Sequence, residues 1–228
     1  MTTLRERIGV DLGDRLMRTC RSRLALVLAI LAAASAPAVG QQTRAPVLAG
    51  AELLSSLRGG GFIIYFRHAD TDFRQQDERP VNPADCTKQR NLTDRGRDHA
   101  RAIGAAIRAL AIPVGPVLAS PLCRTVETAE LAFGTAERAD AVREPGGAPA
   151  GSPGRFIALR TLLSTIPPAG TNEVVVGHAY PFYALVGGQY LDEGEAAVVR
   201  PLGGGFEVVS RVGLKEWREL AQLSPKRE

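Results

Sequence analysis

The sequence predicts a single α/β domain, a three-layer α/β/α sandwich around a mostly parallel central sheet. Two observations predict it. Three short apolar runs, at 62–66, 116–119 and 173–176, are continuous rather than alternating, as in strands buried on both faces. Segments of helical periodicity lie between them, and that alternation is the pattern of a parallel sheet covered by helices. A chain of 228 residues, 45% of them hydrophobic, can bury one substantial core and would crowd two.

In chain order, residues 1–38 read as a signal peptide. A positive stretch ending at Arg23 precedes the apolar run 24–34 and then small residues up to Gly40. Ala36-Pro37-Ala38 fits small-x-small cleavage and would make Val39 the mature N-terminus, with Met17 an alternative start. The apolar run is short for a membrane span, so no stable membrane insertion is expected after cleavage. The location expected is periplasmic or secreted. Residues 39–48 read as a linker, and 49–228 as the folded domain.

The leader also explains the sequence pI of about 9.2. Six of the 28 basic residues but only three of the 24 acidic ones lie in the first 38 positions. The remaining 22 and 21 nearly cancel, which gives no electrostatic case for a nucleic-acid partner. Cys86 and Cys123 are the two cysteines beyond the leader, and an even pair in an exported chain suggests a disulfide.

A first helix is predicted around Leu53, Leu54 and Leu57, stopped by Gly59-Gly60-Gly61. After the first strand, Thr93 is a good N-cap for a helix presenting Ala100, Ile103, Ile107 and Leu110. Ser120 or Pro121 opens a helix that stops at Gly134, and another covers roughly 155–166, before Pro167-Pro168. The segment 143–154 is dense in Gly and Pro and reads as a surface loop. Two strands, 196–199 and 206–211, and a helix around Trp217 complete the chain. Gly203-Gly204-Gly205 between those strands reads as a tight turn.

The chemistry is predicted at the ends of the three strands. They run into Arg67-His68, into Ser120-Pro121-Leu122-Cys123-Arg124, and into Gly177-His178. In an open parallel sheet the carboxyl ends share one edge, where ligands bind. Two arginines there make a permanently charged fork for a tetrahedral dianion. A neutral imidazole beside them can attack phosphorus, and adjacent positive charge favours the neutral form. No cluster of Cys, His and acids has metal-ligand spacing, so neither metal nor cofactor is expected.

These segments resemble the histidine phosphatase superfamily, the phosphoglycerate-mutase-like fold. Tyr65-Phe66-Arg67-His68-Ala69-Asp70-Thr71 resembles its Arg-His-Gly signature, with Ala69 for the common Gly, a change also seen among phosphohistidine-phosphatase-like members. Leu92-Thr93-Asp94-Arg95-Gly96 is similar to its Leu-Ser/Thr-x-x-Gly helix start. Ser120 to Arg124 with Thr128-Ala129 matches its Ser-x-x-x-Arg-x-x-x-Thr-Ala block, and Val176-Gly177-His178 its Gly-His block. The resemblance implies that His68 is the phosphorylated nucleophile of a histidine acid phosphatase-type phosphomonoesterase. It also implies that Arg67, Arg124 and His178 complete the catalytic and substrate-binding pocket, with Thr71 in a flanking loop adding a hydrogen bond to the substrate.

The general acid is where the chain departs from the family. One branch has an acid directly after the second histidine, where this chain has Ala179. The other takes a Glu after the second-arginine helix, which makes Glu144 the catalytic candidate. Asp70, Glu193 and Glu195 are rivals. Leader, Arg-His-Ala and missing acid together look like exported phosphatases of the lipopolysaccharide heptose-phosphate type. The expected partner is therefore a small phosphorylated substrate, with a cell-envelope component as the first candidate. The alternative is a catalytically silent phosphate-binding protein of the same fold.

Overall fold

The computed structural model describes residues 47–143 and 154–223. The signal-peptide and cleavage-site expectations, almost all of the 39–48 linker, and Glu144 lie outside the described residues.

One six-stranded sheet organises the described chain, in the order β3-β2-β4-β1-β5-β6. Helix α1 (Gly50–Gly59) leads into β1 (Ile63–Arg67). Helix α2 (Asp94–Ala109), β2 (Val114–Ala119), α3 (Cys123–Phe133) and the short β3 (Glu137–Arg138) follow. Then come α4 (Ile157–Ser164), β4 (Asn172–Gly177), α5 (Ala179–Val186), the hairpin β5 (Ala196–Pro201) and β6 (Phe206–Val212), and α6 (Leu214–Leu223). Strands β3, β2, β4 and β1 are parallel to one another, whereas β5 pairs antiparallel with both β1 and β6. The sheet is thus mostly parallel, in three layers.

The unbroken apolar runs have a direct structural cause. Along β1, Ile64 and Phe66 face a core shared with Leu57, Ile107, Val126 and Trp217 from α1, α2, α3 and α6. Ile63 and Tyr65 face the opposite core with Leu159, Leu163 and Phe182 from α4 and α5. Both pleat faces are dry, so both must be apolar. A fully buried aliphatic or aromatic side chain of this kind stabilises the fold by roughly 1.5–3 kcal/mol relative to exposure.

Most element boundaries follow the sequence expectation, with instructive shifts. Thr93 caps α2 as expected, its Oγ1 accepting from the Gly96 N–H at 3.0 Å. Helix α3 starts at Cys123 rather than Ser120 or Pro121. Leu122 at its N-cap lacks a capping side chain. The buried Gln89 side chain supplies one instead, accepting from the Cys123 N–H at 2.9 Å. Helix α5 and strand β3 have no counterpart in the sequence reading. The glycines at 203–205 form the β5–β6 turn, where the Leu202 N–H donates to the Gly205 carbonyl at 2.8 Å.

Candidate active site

Strands β2, β4 and β1 are consecutive in the sheet, so Ser120, His178 and His68 emerge side by side at one edge. Parallel pairing of β1 with β4 continues just past the strand end, where the His68 N–H donates to the Gly177 carbonyl at 3.1 Å. The fully buried Tyr65 pins the second histidine. Its hydroxyl donates to the His178 carbonyl at 2.9 Å and accepts from the His178 N–H at 3.0 Å. That hydroxyl occupies the space a β-carbon on residue 177 would need, at 2.2 Å. Close approach therefore demands Gly177, which accounts physically for the Gly-His pair.

The backbone beyond His68 is fixed equally tightly. The Ala69 N–H donates to the Thr128 Oγ1 at 3.1 Å, and that hydroxyl donates to the Arg124 carbonyl at 2.6 Å. A β-carbon on Gly96 would lie 2.1 Å from the Asp70 carbonyl oxygen, so the first turn of α2 can only pack there without one. The Thr93 N–H donates to the same carbonyl at 3.0 Å. The motifs at 67–71, 92–96 and 120–129 are thus one packed unit.

His68 is only 2% exposed. Its Nδ1 faces the Ala69 carbonyl at 2.9 Å. A carbonyl can only accept, so Nδ1 carries the proton and the lone pair of the neutral ring is on Nε2. Burial, then the nearby His178 and Arg124, hold the His68 pKa well below its ordinary value. His178 is pushed down to about 3, chiefly by burial and then by Arg124. Both rings are neutral at pH 7, with centroids 5.6 Å apart. The His178 Nε2 hydrogen-bonds the buried Ser120 hydroxyl at 2.8 Å.

Around these rings gather the arginines. Arg124 is 6% exposed, and its Nη1 donates to Asp77 at 2.9 Å and to the Arg90 carbonyl at 3.4 Å. Arg67 donates through Nη1 to the Leu191 carbonyl at 2.8 Å. Arg90 lies over the Phe73 ring, 4.8 Å from its centroid. Its charge acts on Arg67, Arg124 and His178 alike. The Nε–H groups of all three arginines are buried without an acceptor. Burial lowers the pKa of both Arg67 and Arg124, yet neither approaches neutrality near pH 7. Concentrated positive charge with unspent donors, beside a neutral imidazole lone pair, suits a phosphoryl dianion.

Among the sequence candidates, Arg67, His68, Arg124 and His178 converge. Thr71 is placed differently from expectation: its hydroxyl donates to Glu193 at 2.6 Å, and its N–H donates to the same carboxylate at 3.2 Å. Its donors are spent on positioning Glu193, not offered to a substrate. Glu193 also pairs with Arg67 Nη2 at 3.4 Å and stands 3.9 Å from His68 Nδ1. The nearer ring nitrogen is thus the protonated one, so Glu193 steadies the imidazole from behind rather than facing a leaving group.

Asp70 turns away to Arg95 at 2.5 Å and to His99. Glu195 is held by Arg211 at 2.7 Å and by the Asp192 N–H at 2.8 Å. Two charged pocket residues escaped the sequence reading, Asp77 and Arg90. Both belong to the polar stretch before α2, which looks like any solvated loop. The one signal that marked it was Cys86. The structure joins Cys86 to Cys123 in a disulfide, fastening that stretch to the helix that carries Arg124.

Among the described residues, no group of three or more His, Cys, Asp or Glu side chains is placed to hold a metal ion. No described helix is long and apolar enough to cross a membrane.

Residues 63–146 match the family model of the histidine phosphatase superfamily (branch 1). No curated protein matches the chain by sequence. Among solved structures, the chain is similar to the protein histidine phosphatase SixA complexed with tungstate. That match has 18% identity and a TM-score of 0.48, over 68% of this chain and 97% of that one. It is also similar to a mutant phosphoserine phosphatase from Entamoeba histolytica in complex with phosphoserine, at 16% identity and TM-score 0.47, over 68% and 98%. YhfR of Bacillus stearothermophilus matches at 16% identity and TM-score 0.45, over 64% and 94%.

Proposed function

We infer that this chain, whose residues 63–146 match the family model of the histidine phosphatase superfamily, hydrolyses phosphomonoesters through a phosphohistidine on His68 Nε2. The reading rests above all on one arrangement. A buried imidazole has its Nδ1 proton fixed by the Ala69 carbonyl, which leaves the lone pair on Nε2, and the charges of Arg124 and Arg67 act on the ring.

In the first step the Nε2–P bond forms as the ester P–O bond breaks, and the leaving oxygen takes up a proton. In the second, water attacks phosphorus, the N–P bond breaks, and inorganic phosphate and neutral His68 are regenerated. Arg67 and Arg124 hold the non-bridging oxygens, and His178, anchored by Tyr65 and Ser120, donates or accepts at one of them. Charge-assisted donors preorganised in a dry site are worth far more than in water. Neither step calls for a metal ion.

The leader pattern supports export, and a phosphomonoester of the cell envelope is the substrate class this places within reach. N-terminal sequencing of the protein recovered from outside the cytoplasm should begin at Val39. Recovery only in the cytoplasm with the leader intact would end the envelope assignment.

The catalytic test is turnover of p-nitrophenyl phosphate without added metal, with His68→Ala alongside. Activity lost in the variant is expected. An inactive parent that still binds phosphate or vanadate would favour the silent phosphate-binding alternative.

A further inference from the structure

The geometry points to Asp77 as the group that hands its proton to the leaving oxygen, a role that rests on the phosphohistidine reading above.

Among the described residues, the carboxylates near the pocket divide by what they touch. Asp70 is committed to Arg95 and His99 at the start of α2, and Glu195 to Arg211. Glu193 stands at the protonated Nδ1 edge of His68, away from the nitrogen that attacks. In an in-line displacement the leaving oxygen departs on the face of phosphorus opposite Nε2, so a group behind the ring cannot serve it. Asp77 is placed otherwise. It bonds the Nη1 of Arg124, the buried phosphate-clamp arginine, at 2.9 Å, and its charge acts on His178. Among the described residues His68 pairs with Glu193 and not with Asp77. Asp77 therefore borders the phosphate position from the loop side, not from beneath the nucleophile.

Paired with Arg124, Asp77 is ionised. The Arg90 N–H at 2.9 Å and Arg124 outweigh its partial burial and hold its pKa below the ordinary value. A phosphoryl dianion reverses that balance. It competes for Arg124 and places negative charge beside the carboxylate, and both effects favour the protonated acid. Formal charges agree. Three arginines are neutralised by Glu193 together with a dianion only if Asp77 is neutral.

The proton balance then closes. Asp77 enters the reaction as the acid and protonates the ester oxygen as the P–O bond breaks. Its carboxylate next takes the proton of the water that attacks phosphohistidine, which restores the acid. The Cys86–Cys123 disulfide and Gln89 fasten this loop to the α3 N-terminus, fixing Asp77 relative to Arg124.

The test is the dependence of kcat/KM on the leaving group, since that ratio reports formation of the phosphoenzyme. The full chain and Asp77→Asn are compared on p-nitrophenyl phosphate and on an alkyl phosphate such as glycerol 2-phosphate. An alkoxide needs protonation and a nitrophenolate does not. The alkyl-to-aryl ratio of kcat/KM should therefore fall about 10²–10⁴-fold in the variant, and Asp77→Glu should recover part of it. Residual p-nitrophenyl phosphate turnover reports that the variant folds. An equal loss on both esters would overturn the proposal and leave Asp77 merely as the residue that orients Arg124. A parent that hydrolyses neither ester would remove this assignment and the phosphatase reading together.

Discussion

Replacing both Cys86 and Cys123 by serine tests how the pocket loop is held. The cysteines are 37 residues apart in sequence. Constraining a loop of that length in the unfolded chain is worth roughly 4 kcal/mol at 25 °C on the chain-entropy account. For a domain of this size, each kcal/mol moves the melting temperature by about 2–4 °C, so the double variant should melt about 8–16 °C lower. The loop keeps its own bonds without the bridge. Gln89 Nε2 donates to the Asn82 carbonyl at 2.9 Å, and Asn91 Nδ2 to the Cys86 carbonyl at 2.8 Å. The native fold should therefore survive, with KM raised because Asp77 and Arg90 are less firmly placed. The assay is thermal unfolding of parent and variant, each with and without reductant. The reduced parent should melt with the variant. Equal melting of the oxidised parent and the variant would refute the reasoning, as would two free thiols in the protein, purified without reductant, by non-reducing mass analysis.

Three further outcomes are expected. Glu193→Gln keeps an acceptor for the Thr71 hydroxyl but removes the charge behind His68, so kcat should fall by about 10–100-fold, the worth of a hydrogen bond to a charged group. Steady-state kinetics check it, and an unchanged kcat would mean that Glu193 only packs. Gly177→Ala would drive a methyl into the Tyr65 hydroxyl and release the His178 backbone. It should destabilise the fold by about 1–3 kcal/mol and depress activity, read by denaturant unfolding and turnover; a parental unfolding midpoint would contradict the packing. His178, pushed down to about 3 when folded, takes up a proton more readily unfolded. Its contribution is therefore complete above pH ~6.5 and is lost as pH falls toward 3, by about 2 kcal/mol at pH 5. Denaturant midpoints should fall further in the parent than in His178→Asn between pH 7.5 and 5, and equal falls would refute the assignment.

Much of this was legible in the sequence because the chemistry is tied to strand ends. A strand buried on both faces leaves an unmistakable apolar run, and the polar residue that ends it is at the sheet edge by construction. His68, Arg124 and His178 were located in that way. Asp77 and Arg90 were not, because their role arises from a loop folding back on α3, a contact that no local periodicity records. Thr71 was expected to bond a substrate, but its partner Glu193 lies 122 residues away in sequence, so the direction of its hydroxyl could not be read. Helix α5 escaped because Ala179–Val186 is short and apolar nearly throughout, leaving no contrast between faces. Helix α3 began later than expected because its first turn is capped by Gln89, from outside the helix.

The most direct test of the central claim is the covalent intermediate. The protein is mixed with p-nitrophenyl phosphate, denatured rapidly at alkaline pH, where phosphohistidine survives, and analysed by intact mass and peptide mapping. The account predicts one added phosphoryl group on His68 at Nε2, absent from His68→Ala. Turnover with an unmodified His68, or a phosphoryl group on any other residue, would contradict it.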